Sequence, residues 1–212
     1  MRPTVPRLLL VTDPAMEGGI VATVRAALEG AVSGRVGVQL RAKDRSARAL
    51  VELGRTLRAL TRDAGAALFV NGRLDVAEIV DADGVHLPEA GFSVADARAL
   101  LGQDRLVGRS CHDRAGLEAA AAAGADYATL SPVLGVPGKG APLGLEGFSE
   151  ICRGAPLPTL ALGGVDVAAV ASVLAAGAHG VAVIRAVGGP TTAASRVRSL
   201  LAALDRSGRG TR

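Results

Sequence analysis

Gly124-Ala125-Asp126-Tyr127-Ala128-Thr129-Leu130 joins the end of one element to the whole of the next. The preceding residues, Ala115–Ala123, form an alanine-rich helical stretch that Gly124 closes, and Tyr127–Leu130 is a short apolar run with strand propensity. The same joint recurs. Ala82-Asp83-Gly84-Val85 follows a helix predicted over Leu74–Val80, and Gly177-Ala178-His179-Gly180-Val181 follows one over Val167–Ala176. A joint used repeatedly between helix and strand indicates a chain built from repeated strand–helix units.

Working outward, the pattern predicts strands at Arg7–Thr12, Val36–Leu40, Ala67–Val70, Gly84–Leu87, Leu106–Gly108, Tyr127–Leu130, Thr159–Leu162 and Val181–Ile184. The helices between them are Ile20–Leu28, Ser46–Ala64 with Asp44 or Ser46 as N-cap, and Leu74–Val80. They continue with a Ser93-capped helix to Leu101, Ala115–Ala123, Leu145–Cys152, Val167–Ala176 and Thr191–Leu204. The strands are short and apolar on both faces, as buried parallel strands are. Eight such units predict a (β/α)₈ TIM barrel as one domain over residues 1–206, with a disordered tail at 207–212. A doubly wound open sheet is the competing architecture.

At 212 residues the chain can bury a substantial core, yet only 2% of it is aromatic, so Ala, Val and Leu must fill that core. The net charge of +4 is spread along the chain with no dense basic cluster, and base-stacking aromatics are few. Both observations argue against a nucleic-acid partner. The apolar run Leu8–Val11 meets Asp13 too soon for a signal-peptide core, and no run reaches the length of a membrane span. Cys111 and Cys152 form neither a CxxC pair nor a ligand cluster, which suits a reducing cytoplasm. Assembly into a homo-oligomer stays open.

In a TIM barrel the site is built at the C-terminal ends of the strands. Those ends carry Thr12-Asp13, then Gln39, Arg41 and Lys43, then Asn71, His86, Ser110 and His112. The Ser131–Gly144 loop with Lys139, Gly163-Gly164 and Ile184-Arg185 complete the ring. On strand two, Gln39, Arg41 and Lys43 share one face by the two-residue period. Of 24 Lys and Arg residues only Lys43 and Lys139 are lysine. A cation-rich ring with few carboxylates suits a phosphorylated small molecule. Gly163-Gly164 after strand seven and Ile184-Arg185 after strand eight sit where such barrels bind phosphate through backbone N–H groups. The long Gly- and Pro-rich loop around Lys139 has the character of a lid. His86 and His112 are candidates for acid–base work or for structural hydrogen bonding. His179 lies at the opposite end of strand eight and receives no role.

Several of these segments, in this order, resemble the thiamine phosphate synthase/TenI family over roughly residues 7–190. They are Val38-Gln39-Leu40-Arg41-Ala42-Lys43, Val70-Asn71, Ala82-Asp83-Gly84-Val85-His86-Leu87 and Gly108-Arg109-Ser110-Cys111-His112. Gly124-Ala125-Asp126-Tyr127, Leu162-Gly163-Gly164-Val165 and Gly180-Val181-Ala182-Val183-Ile184 complete the set. The resemblance implies a (β/α)₈ barrel of thiamin biosynthesis that joins a pyrimidine pyrophosphate to a thiazole phosphate, giving thiamine phosphate and pyrophosphate. It implies that Gln39, Arg41, Lys43 and Asn71 hold the pyrimidine pyrophosphate and that Ser110 lines the pyrimidine pocket. Lys139 would meet the pyrophosphate from the lid, and Gly164 with Ile184-Arg185 would hold the thiazole phosphate. No organic cofactor is implied.

Magnesium is implied, but the chain departs from the pattern there. Gly72 and Gly91 stand where the synthase places its two metal-binding aspartates, and Glu89 and Asp75 are near but out of register. Val136 and Gly138 replace two lid threonines. The stretch from His86 to Ser110 is closer to the TenI branch, whose isomerases use a histidine at the end of strand six, where this chain has Ser131. Three activities stay open from sequence: the synthase, a TenI-type thiazole phosphate isomerase using His86 or His112, and a non-catalytic binder of thiamine phosphate or its precursors.

Overall fold

A computed structural model describes residues 3–208. Eight parallel strands close on themselves in chain order, β1-β2-β3-β4-β5-β6-β7-β8. They are β1 (Leu8–Val11), β2 (Val36–Leu40), β3 (Ala67–Asn71), β4 (Gly84–Leu87), β5 (Leu106–Cys111), β6 (Tyr127–Leu130), β7 (Thr159–Leu162) and β8 (Gly180–Val183). The helices are α1 (Ile20–Leu28), α2 (Ala47–Asp63), α3 (Leu74–Ile79), α4 (Val94–Leu101), α5 (Arg114–Ala122), α6 (Gly144–Cys152), α7 (Val170–Ala175) and α8 (Pro190–Gly208). The closed barrel excludes the open sheet.

Each strand is apolar on both faces because both faces are buried. Leu10, Val38, Leu40, Leu68, Val85 and Val107 point outward into the layer packed against the helices. Leu9, Val11, Phe69, Leu106, Tyr127 and Leu160 point inward and fill the barrel. Two of the chain's few aromatics therefore sit at the centre, Phe69 and Tyr127, in edge-to-face contact at 5.6 Å. Glycine makes room for them. A Cβ on Gly108 would lie 2.2 Å from Tyr127 Cζ, and one on Gly37 2.9 Å from Phe69 Cε2.

The repeated joint proves to be a clasp at the N-terminal end of the barrel. Asp83 donates its backbone N–H to Leu68 O (2.9 Å) and accepts the Leu68 N–H on its carboxylate (2.7 Å), while Arg58 of α2 meets the same carboxylate at 2.5 Å. Asp126 repeats this with Val107 (2.8 and 2.7 Å) and with Arg98 of α4 (2.6 Å). In the third copy His179 keeps the backbone bond, to Thr159 O at 2.8 Å, but brings no carboxylate.

Several boundaries shift by a residue, and four shifts have a visible cause or bear on the site. β5 runs on to Cys111 rather than ending at Gly108, because Ser110 and Cys111 pair with Thr129 and Leu130 of β6. α7 starts at Val170, and Asp166 instead caps the turn before it, accepting the Ala169 N–H at 3.1 Å. β8 ends at Val183, leaving Ile184 to lead into a 3₁₀ turn, Arg185–Val187. α8 continues through Ser207 and Gly208, where the disordered tail was expected to begin, because Val197, Leu200, Leu201 and Leu204 anchor it to the core. The rest of that tail lies outside the described residues.

Candidate active site

The C-terminal ends of the strands surround a cavity of about 560 Å³. Of the ring expected from sequence, Gln39, Arg41, Lys43, Asn71, His86, Ser110, His112, Lys139, Gly163, Gly164, Ile184 and Arg185 line it, whereas Thr12 and Asp13 do not. They converge because each occupies, or directly follows, the C-terminal end of a parallel strand.

The floor is polar and neutral. His86, 3% exposed on β4, has Nδ1 3.2 Å from the Tyr127 hydroxyl and Nε2 3.0 Å from Ser110 Oγ. Thr129 Oγ1 lies 3.3 Å from the same Nε2. Burial, reinforced by the nearby Arg109 guanidinium, pushes the His86 imidazole down to about 3. The ring is therefore neutral. One ring nitrogen donates and the other accepts, so the imidazole bridges the Tyr127 hydroxyl and Ser110 Oγ. Burial raises the Tyr127 phenol well above its ordinary value. His86 thus orients Ser110 and is unsuited to carry a proton near neutral pH. Beside it, the Gln39 amide is buried yet hydrogen-bonds to no other described residue, which leaves it available to a ligand.

One wall is cationic. Thr12, fully buried, locks the end of β2: its hydroxyl accepts the Arg41 N–H (2.9 Å) and donates to the Arg41 carbonyl (3.1 Å). The Arg41 guanidinium then reaches Asp13 at only 3.4 Å. Lys43, Lys139 and Arg185 are exposed, and among the described residues none has a side-chain partner. Glu89 and Asp166 are the carboxylates lining the cavity, so cations outnumber them.

The opposite rim presents backbone. Gly163 and Gly164 have φ of +98° and +69°, which favour glycine. A Cβ on Gly164 would come within 2.7 Å of Leu134 Cβ. Among the described residues, the N–H groups of Gly164, Val165, Arg185 and Ala186 donate to no protein oxygen. The loop above, expected as a lid, has a fixed base. Val133 and Leu134 donate to Leu162 O and Gly163 O (3.0 and 2.9 Å), and Leu143 and Gly144 donate back to Pro132 O and Val133 O (2.9 and 3.0 Å). Only the tip, residues 135–142 with Lys139, stands clear of this pairing.

Sequence reasoning missed three features. Arg109 donates to Phe92 O and Glu89 O, both at 2.9 Å, and so pins the loop after β4. That loop places Glu89 Oε2 3.6 Å from His112 Nε2, whose ring donates through Nδ1 to Ser131 O at 2.6 Å. Pro88 packs between the two unexpected glycines: a Cβ on Gly72 or on Gly91 would lie 3.3 Å from its ring. Asp75, expected nearby, is held outside the cavity by Arg73 at 2.9 and 2.5 Å, which lowers its pKa. Among the described residues no three His, Cys, Asp or Glu side chains are grouped to hold a metal ion.

The sequence pattern of the thiamine monophosphate synthase family matches residues 8–187. The chain belongs to that family. A Geobacter sulfurreducens member of the thiamine monophosphate synthase family is 46% identical over 201 residues, 93% of each chain. The thiamine-phosphate synthase of Moorella thermoacetica is 40% identical over 205 residues, covering 94% of this chain and 96% of that one. Among solved structures, the thiamine phosphate pyrophosphorylase from Pyrococcus furiosus superposes with a TM-score of 0.84 at 31% identity, covering 95% of this chain and 96% of the other. Within the family framework, no helix among the described residues is long and apolar enough to cross a membrane.

Proposed function

We propose that this cavity is a thiamine phosphate synthase site, coupling hydroxymethylpyrimidine pyrophosphate to thiazole phosphate. The carrying observation is that three unpartnered cations, Lys43, Lys139 and Arg185, face the same cavity as four unused backbone N–H groups. Two separate anion-binding regions match two phosphorylated substrates.

In the coupling, the bond between the pyrimidine methylene carbon and a pyrophosphate oxygen breaks, and its electron pair leaves with pyrophosphate. The thiazole nitrogen lone pair then forms the new C–N bond. Arg41, Lys43 and Lys139 offset the charge that develops on the leaving oxygen. Gln39 and Asn71 orient the pyrophosphate end, and Ser110, held by neutral His86, contacts the pyrimidine. Gly164, Ile184 and Arg185 hold the thiazole phosphate through N–H groups and one guanidinium. Cys111 and Cys152, both buried and unpaired, suit a cytoplasmic setting.

The relatives' names favour the synthase over the isomerase or the binder, and buried His86, a weak base, is poorly suited to an isomerase's proton transfers. The test mixes purified protein with both phosphorylated substrates and follows thiamine phosphate by mass. Product over many turnovers supports the reading; thiazole phosphate binding without any product overturns it.

A further inference from the structure

Resting on that reading of the cavity, we propose that this chain takes its pyrophosphate group as a metal-free anion, neutralised by Arg41, Lys43 and Lys139 in place of a divalent cation. The argument starts from the corner between β3 and β4. Hard cations such as magnesium take oxygen ligands, usually one or two carboxylates with substrate phosphates and water. Here the corner holds Pro88 between Gly72 and Gly91, and its oxygen-bearing side chains are the Asn71 amide and the single carboxylate of Glu89. Gly72 has φ +66°, which an L side chain rarely adopts, and its N–H is committed to His86 O at 2.9 Å.

The neighbouring carboxylates are scattered rather than grouped. Asp75 is bound by Arg73 through two hydrogen bonds. Glu89 faces His112 at 3.6 Å. Asp13 accepts the Ala15 N–H at 2.9 Å and faces Arg41 at 3.4 Å. Asp166 caps the turn before α7. The cavity's two carboxylates, Glu89 after β4 and Asp166 after β7, come from separate strand ends, and among the described residues no three ligating side chains are grouped, a donor set that does not fit a resident metal.

The charge a metal would bring is present on side chains. Arg41 is positioned by the buried Thr12 clamp, and its contact to Asp13 is long enough to be exchanged for a phosphate oxygen. Lys43 approaches from the β2 side and Lys139 from the loop tip. Neither has a protein partner to give up among the described residues, so pairing with an anion costs no existing ion pair.

The experiment is calorimetric titration of inorganic pyrophosphate into the full chain, in EDTA and again in excess magnesium. The expected result is binding in EDTA that magnesium fails to strengthen by more than about threefold. Lys43→Ala and Lys139→Ala should each weaken binding in EDTA by about tenfold or more, the loss of one charge-assisted contact. Both lysines are exposed, and unchanged circular dichroism would show the variants folded. Binding that requires magnesium, or no binding in either buffer, overturns the proposal. A parallel turnover assay separates the two readings. Thiamine phosphate formed in EDTA supports both. Product formed only with magnesium overturns the metal-free proposal and leaves the synthase reading intact. Tight pyrophosphate binding in EDTA with no product under any condition supports the metal-free anion site and overturns the synthase reading.

Discussion

His86 makes the floor of the cavity testable by pH. Its folded imidazole is pushed from 6.5 down to about 3, chiefly by burial. A histidine depressed in this way contributes stability that is present above its unfolded pKa and is lost as pH falls toward its folded value. From about pH 7.5 to about pH 5 the unfolded imidazole passes from roughly one-tenth protonated to almost fully protonated, while the folded ring stays neutral. The linkage integral over that window is about 2 kcal/mol. The perturbation is His86→Gln, which keeps a polar floor but removes the titration. Urea unfolding of both proteins at the two pH values gives a double difference in which the other titrating groups cancel. The parent should lose about 2 kcal/mol more than the variant on acidification. Equal losses would mean that the folded imidazole takes up its proton as readily as the unfolded one. The neutral-floor argument would then fail, and with it the reason for denying His86 an acid–base role.

Three further outcomes follow from the geometry. Gly164→Ala places a methyl in a left-handed conformation against Leu134, so we expect a stability loss of about 1–2 kcal/mol in thermal or urea unfolding. Its KM for thiazole phosphate should rise about tenfold, the loss of one good hydrogen bond to a charged group. Asp126→Ala removes the carboxylate from a largely buried Arg98, which keeps its carbonyl acceptors, and leaves the Val107 N–H without its acceptor. Urea unfolding should show a loss of about 3–5 kcal/mol, with kcat of the folded protein unchanged because the clasp lies at the far end of the barrel. Arg109→Ala releases two carbonyls of the loop after β4 and should lower kcat/KM while moving Tm little; a large Tm drop with unchanged kcat/KM would make Arg109 purely structural.

The barrel was legible because burial on both faces leaves eight apolar runs, each followed by a helical period. The ring at the strand ends was legible for the same reason, since position on a parallel strand fixes which end a residue occupies. Side-chain connections between elements were not. Arg109 reads from sequence as the polar end of a strand, and only the fold brings the Glu89 and Phe92 carbonyls within its reach. Extending β5 to Cys111 required the pairing of Ser110 with Thr129, a polar match that an apolar pattern does not reveal. The loop around Lys139 looked free along its whole length because Gly and Pro dominate it. Its base is fixed by main-chain bonds to Leu162 and Gly163 that leave no trace in residue type.

The aspartate–arginine clasps bear on how such a chain can change over generations. They concentrate strand closure at the end of the barrel away from the cavity, where Asp83 and Asp126 tie strand to strand and strand to helix. The rim around the cavity keeps its own ties, such as Thr12 to Arg41, but does not depend on them alone. Exchanging a pair of carboxylates for glycines, or turning a proline into the gap between them, alters chemistry without touching closure. A fold divided in this way can pass through intermediate sequences that are catalytically poor yet still fold, and that tolerance opens routes between one way of neutralising a phosphate and another.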